Sequence, residues 1–230
     1  MFKSIHFGIV LLEVCYLAED MNHDELIAFL KDRLRHPLPG KEAHIQMAPQ
    51  PIDLRRFDPK VPHHHRKGAV LLVFYPSRSE VLFPLIKRPV YKGVHSGQIA
   101  LPGGKMDPGD TDIIHTALRE AQEEVAVNAE RVQILGKLTD LYIPTSNFLV
   151  TPVIGAIHEV PEFVPEIREV DMILPTQLDF ILNSERRQRT ILKINQELEL
   201  DTPYFDLHGE IVWGATAMIL SELAHLLAEG

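Results

Sequence analysis

Cysteine is almost missing from this chain: Cys15 is the only one. No intramolecular disulfide can form, which excludes the small disulfide-stapled secreted folds. A reducing, cytoplasmic setting is the expectation. Basic residues are also in short supply, with 23 Lys and Arg against 32 Asp and Glu and a net charge of −9. A broad nucleic-acid surface needs the opposite balance, so no nucleic-acid partner is expected. A small phosphorylated substrate stays open, because a bound cation reverses the local field. Long apolar runs are lacking as well. The stretch Phe7 to Leu12 is broken by Glu13. It is too short to span a membrane, and it lacks the small-residue cleavage site of a secretory signal. No membrane partner is expected. There is no internal repeat and no low-complexity tract. What is present is ordinary for a folded globular chain, 45% hydrophobic and 24% charged. Its 230 residues suffice for one substantial domain with extensions, or two small ones.

Three segments are expected. Residues 1–22 form an N-terminal extension with two open readings. It packs on the domain as a strand or helix, or translation begins at Met21, since Asn22-His23-Asp24-Glu25 opens a well-capped helix. Residues 23–65 read as a helix and an irregular wrap. Leu26, Ile27, Phe29, Leu30 and Leu34 give Asp24 to Leu34 a helical period. His36-Pro37-Leu38-Pro39-Gly40 stops it, and 41–66 is expected to be irregular. Within it, His63-His64-His65 reads as a solvated loop, because adjacent side chains do not converge easily on one ion. Residues 66–230 carry the remaining elements. Strands are expected at Ala69 to Tyr75, Val81 to Lys87, Gln98 to Leu101, Ile134 to Ile143, Phe148 to His158 and Glu169 to Leu174. A helix follows near Thr176 to Leu182. Arg189 to Ile194, Tyr204 to Leu207 and Ile211 to Trp213 form a closing antiparallel set, and Ala215 to Ala228 a last helix. Trp213 is expected in the core. Strands and helices interleave without a βαβ rhythm, which suits a mixed sheet between helices.

Residues 103 to 124 hold the densest chemistry. Gly103-Gly104 lets the backbone turn tightly and approach a ligand. An acidic turn ends at Asp110, and Thr111 to Val125 reads as a helix. Glu120, Glu123 and Glu124 then stand at i, i+3 and i+4 on one face. Like charges so placed repel unless something positive sits between them. A hard divalent cation that prefers oxygen ligands, Mg2+ or Mn2+, is the fitting partner. Arg119 lies four residues before Glu123 and can orient it. Glu-x-x-Glu-Glu alone is more often a solvated helix face; the glycine pair, the spacing and the arginine set this one apart.

This stretch resembles the signature of the Nudix hydrolase family: Gly, five residues, Glu, seven residues, then Arg-Glu-apolar-any-Glu-Glu-any-Gly-apolar. Gly104 opens it and Arg119-Glu120-Ala121-Gln122-Glu123-Glu124-Val125-Ala126-Val127 closes it. Asp110 replaces the first Glu, Arg119 lies one residue late, and Ala126 replaces the Gly. The extra residue and the run Ala117 to Val125 are similar to the subgroup that hydrolyses coenzyme A and its derivatives. That subgroup carries an upstream Arg, a His seven residues later, then Gly and Pro-Gly-Gly. Here Arg88, His95, Gly97 and Pro102-Gly103-Gly104 keep that spacing. Lys92-Gly93 stands where the subgroup usually has Leu-Arg, and Leu101 where it has Phe. Lys87 and Lys92 are the remaining candidates to meet a coenzyme A phosphate.

The resemblance covers about residues 66 to 228 and implies a Nudix-type α/β/α sandwich with a mixed β-sheet. It implies metal-dependent hydrolysis of a pyrophosphate linkage in a small nucleotide. The favoured substrate is coenzyme A or an acyl derivative, giving (acyl-)phosphopantetheine and adenosine 3′,5′-bisphosphate. Glu120, Glu123 and Glu124 are the implied ligands of Mg2+ or Mn2+, with the Gly103 carbonyl adding another. The favoured general base is a helix glutamate, Glu123 or Glu124, acting through a metal-bound water; Glu162, Glu166 and Glu169 after the last central strand are alternatives, with Glu169 at the subgroup's acidic position. Arg88, His95 and Lys92 are the implied substrate contacts. Hydrolysis of ADP-ribose or a dinucleotide remains an alternative, as does a non-catalytic nucleotide-binding regulatory domain. Many family members dimerise, so a homodimer is compatible with the chain.

Overall fold

The computed structural model describes residues 21–57, 62, 64–78, 80–90, 96–193 and 199–228. The two readings of residues 1–20, and the expectations for His63, Lys92 and His95, lie outside the described residues.

Helix α1 (His23–Arg33) starts where its cap predicts. Asn22 Oδ1 accepts from the amides of Asp24 and Glu25, and Glu25 Oε2 accepts from the Asn22 amide. This reciprocal capping box satisfies donors that a helix start otherwise leaves open. The next segment corrects the expectation of irregular chain. It contains α2 (Lys41–His44), a single turn, and two 3-10 turns at Ile45–Met47 and Leu54–Phe57. Ala43, His44 and Met47 are buried, because this segment docks on the C-terminal helix. Ser221 Oγ donates to the Ala43 carbonyl at 2.9 Å.

The strands are β1 (Arg66–Ser77), β2 (Glu80–Lys87), β3 (Ile99–Ala100) and β4 (Gly103–Lys105), then helix α3 (Ile113–Val125). After it come β5 (Gln133–Lys137), β6 (Leu141–Ile143), β7 (Phe148–Ala156), β8 (Met172–Gln177) and the one-turn α4 (Asp179–Leu182). The chain closes with β9 (Arg187–Lys193), β10 (Glu199–Leu207), β11 (Glu210–Trp213) and α5 (Gly214–Ala228). β1 is the organising strand. It runs parallel to β7 over Arg66–Phe74 and antiparallel to β2 and β4 at its two ends. The eight-stranded sheet is therefore mixed, and β9 to β11 form a separate antiparallel sheet.

Alternation along β1 builds two cores. Leu72 and Phe74 face α1 and α5, packing with Leu26, Leu30, Leu220 and Leu223. Ala69, Leu71, Val73 and Tyr75 face the other way, against Ala117, Ala121 and Val125 of α3. The α/β/α layering follows. The two alanines keep α3 close to β1, which brings its carboxylates to the β4 turn.

Three expectations need correction. The strand Ile134 to Ile143 is broken at 138–140. Leu138 donates to the Pro152 carbonyl at 3.0 Å, so the nitrogen of Pro152 faces the same side and has no hydrogen to return. The strand expected at Glu169 to Leu174 lies at Met172–Gln177, because Thr176 is buried in the sheet beside Phe83. That shortens the following helix to α4. Trp213 is half-buried rather than core, at the end of an edge strand opposite Tyr204. Among the described residues, no helix is long and apolar enough to cross a membrane.

Candidate active site

Asp112 caps α3, accepting from the His115 amide at 2.8 Å. The helix ends at Ala126, which adopts a left-handed conformation with φ 58°. This explains why the family signature has glycine there: only glycine takes that shape without strain.

The three glutamates on α3 have unequal surroundings. The Glu123 side chain is 60% exposed, that of Glu120 15% and that of Glu124 2%. Glu124 Oε2 accepts from the Gly103 amide at 2.7 Å, and Arg88 Nη2 lies 3.4 Å from both Glu124 Oε1 and the Gly103 carbonyl. Burial pushes the Glu124 carboxyl up to about 7; the charges of Glu120 and Glu169 add to this, while Arg88 and the Gly103 amide oppose it. Burial also raises Glu120, against the pull of Arg119.

The glycine pair is required by close approach. Gly103 has φ 153°, and a Cβ there would stand 2.3 Å from the Ala69 carbonyl oxygen. A Cβ on Gly104 would stand 2.3 Å from Glu120 Oε2. The carboxylate of Glu120 thus lies directly over the Gly104 backbone.

Arg119 holds the other side. Its Nε and Nη2 meet the two oxygens of Asp110 at 2.9 and 3.0 Å, a bidentate pair. Nη1 donates to Glu123 at 3.0 Å, and Nη2 reaches the Lys105 carbonyl and Glu120 Oε1. The bonds from Arg119 hold the Asp110 carboxyl well below the usual carboxylate range. Thr116 Oγ1 and the Asp107 amide also donate to it, and His115 Nδ1 lies 3.1 Å from its Oδ1. Asp110 did not stand among the site residues read from the sequence, though its place as the first acid of the motif was the available signal.

The structure therefore brings together Glu120, Glu123, Glu124, Arg119, Arg88 and Gly103. Glu169 is exposed in the segment after β7, and its charge is felt at both Glu120 and Glu124. Glu166 is tied into the same segment by its backbone, its amide donating to the Glu124 carbonyl at 2.9 Å. Lys87, a candidate phosphate contact, is paired instead with Glu210 of β11. This donor set fits a hard divalent cation: carboxylates and a backbone carbonyl crowd one place, and one of the acids is buried with few donors of its own.

Comparisons with known proteins bear on the family. The family model described as NUDIX domain matches residues 64–190. A protein of Pectobacterium atrosepticum called uncharacterized Nudix hydrolase NudL is 39% identical over 163 residues, covering 70% of this chain and 83% of that protein. Its namesake in Yersinia pestis is 35% identical over 177 residues, covering 76% and 87%. The crystal structure of a MutT NUDIX hydrolase from Burkholderia pseudomallei aligns with TM-score 0.42 and 21% identity, covering 69% of this chain and 97% of that one. With more than half its length matched by the family model and two such relatives, this chain belongs to the Nudix hydrolase family.

Proposed function

We propose that this Nudix hydrolase cleaves the pyrophosphate linkage of coenzyme A or an acyl derivative, releasing (acyl-)phosphopantetheine and adenosine 3′,5′-bisphosphate. Nudix hydrolases generally use divalent metal ions. The observation that carries the hydrolytic reading is the meeting of Glu120 and Glu124 at the Gly103-Gly104 turn, with Glu124 buried and Glu123 tied to Glu120 through Arg119. Glu120, Glu123, Glu124 and the Gly103 carbonyl would hold Mg2+ or Mn2+. A divalent ion bound there neutralises phosphate charge and acidifies a water. Phosphoryl chemistry otherwise asks for positioning and electrostatics. Arg119 fixes Glu123 and Glu120, and Arg88 sets a positive charge at the mouth of the turn. Glu169, exposed and paired with no cation among the described residues, is the carboxylate we assign to take the proton of the attacking water. The P–O bond to the leaving phosphate then breaks, leaving two monoesters.

The coenzyme A preference rests on the upstream element Arg88, His95, Gly97 and Pro102-Gly103-Gly104. Arg88 stands beside Glu124, where an element read 36 residues away in sequence has to converge if it serves the same site. Lys92-Gly93 favours a second reading, hydrolysis of ADP-ribose or a dinucleotide. The deciding experiment incubates the protein with Mg2+ or Mn2+ and a mixture of coenzyme A, ADP-ribose, NADH and diadenosine polyphosphates, and identifies products by mass spectrometry. Phosphopantetheine with adenosine 3′,5′-bisphosphate as dominant, metal-dependent products supports the proposal. Preferential cleavage of another component overturns the substrate. No cleavage of any component overturns both substrate readings and points to a substrate outside the mixture or to a nucleotide-binding regulatory role.

A further inference from the structure

We propose that His23, Asp24 and His158 form a second cation site, separate from the carboxylate cluster, that takes a borderline divalent transition ion such as Zn2+. One ligand atom from each residue lies within 4.8 Å of the others. Asp24 Oδ1 and His158 Nδ1 are 3.9 Å apart, and the His23 and His158 rings meet edge to face at 5.5 Å. Four ligands held tetrahedrally at about 2.0–2.1 Å stand about 3.4 Å from one another. Closing the set therefore asks for movement of about an ångström in His158 and Asp24, both exposed.

His23 is what distinguishes this group from a solvated cluster. It is only 9% exposed, at the first position of α1, and its Nε2 lies 3.4 Å from the Phe74 carbonyl. The same carbonyl accepts the Ile157 amide at 2.8 Å, so it anchors both the ring and the chain leading to His158. With Nε2–H aimed at a backbone carbonyl, the lone pair is left on Nδ1. This is the arrangement that orients metal-bound histidines. Asp24 also has an ordinary explanation, as an acid in a helix first turn. That explanation does not account for two imidazoles beside it. Two imidazoles and one carboxylate leave a position for water and select zinc-like ions over Mg2+. The ion would join the start of α1 to the end of β7.

The test is calorimetric titration of the untagged full chain with Zn2+ in saturating Mg2+, which occupies oxygen-ligand sites. Wild type, His158→Ala and Asp24→Asn are compared. Wild type should bind one more Zn2+ than either variant, or bind it with a Kd lower by at least about tenfold. Co2+ substitution should give tetrahedral absorption bands in wild type that His158→Ala lacks. Far-UV circular dichroism confirms that each variant is folded, and diphosphate hydrolysis should be unchanged in both. Equal stoichiometry and affinity in all three proteins, with identical Co2+ spectra, would overturn the site.

Discussion

Glu124→Gln separates the electrostatic cost of the carboxylate cluster from its use. Glutamine has the shape of the protonated acid, and its oxygen can still accept the Gly103 amide. In wild type, burial moves the Glu124 carboxyl from 4.5 to about 7. The folded chain therefore keeps a proton across a window in which the unfolded chain has lost it. By linkage, the stability of the metal-free protein from this group is full below about pH 4.5 and is lost as pH rises through about 7. Glutamine has no such dependence, and every other titration is common to both proteins and cancels in the difference. At about 1.4 kcal/mol per unit of pH, a window of this width is worth at most about 3 kcal/mol, or about 6–12 °C in Tm for a chain of this size. The assay is thermal unfolding in EDTA at intervals from pH 5 to pH 8. The Tm of the variant minus that of wild type should grow with pH and level off near 7. Adding Mg2+ should raise wild type and leave the variant largely unmoved. Parallel Tm profiles across the whole range would refute the reasoning, because they would mean that Glu124 ionises as an ordinary surface acid.

Three further outcomes are expected. Gly104→Ala places a methyl group 2.3 Å from Glu120 Oε2, so turnover in a steady-state hydrolysis assay should fall by about a hundredfold, the cost of an ångström-scale misplacement; an unchanged rate would remove Glu120 from the site. Ala126→Gly relieves a left-handed residue at the exposed end of α3, and should stabilise the fold by about 1 kcal/mol in urea unfolding. Glu222→Ala strips the acceptor from Gly40, His44 and Thr139, and should cost about 3–5 kcal/mol by the same measurement.

What the sequence made legible is local. The period of α3 puts Glu120, Glu123 and Glu124 on one face because four-residue spacing is a property of any helix. The capping box of α1 and the alternation of β1 are similarly short-range, and the elements appear within a few residues of their expected bounds. The inequality among the three glutamates is not local. Glu123 and Glu124 are neighbours, yet one faces solvent and the other lies under the Gly103 turn, a difference set by where β1 carries β4. The meeting of Arg88 with Glu124 depends on the same placement. The turn at Lys41–His44 was invisible for a related reason: what makes it helical is a partner 178 residues away, Glu222 on α5. His23 and His158 likewise meet only because β1 and β7 run parallel and end together.

Glu124 and Glu222 are the two buried glutamates among the described residues, and their contrast separates structure from function. Burial raises both. Around Glu222 the ring of His44, the Thr139 hydroxyl and the backbone amides of Gly40 and Thr139 more than offset it, and its pKa ends below the ordinary value. Every oxygen has a donor, and the group clamps the 40–44 turn, the 138–140 break and α5 into one unit. Glu124 has one good donor, the Gly103 amide, and a longer approach from Arg88, while two other carboxylates press on it. A buried acid with that surplus of negative charge lowers the stability of the fold. Such a cost is tolerated where a ligand supplies the missing charge. A cation bound among Glu120, Glu123 and Glu124 would do for Glu124 what His44 and Thr139 do for Glu222.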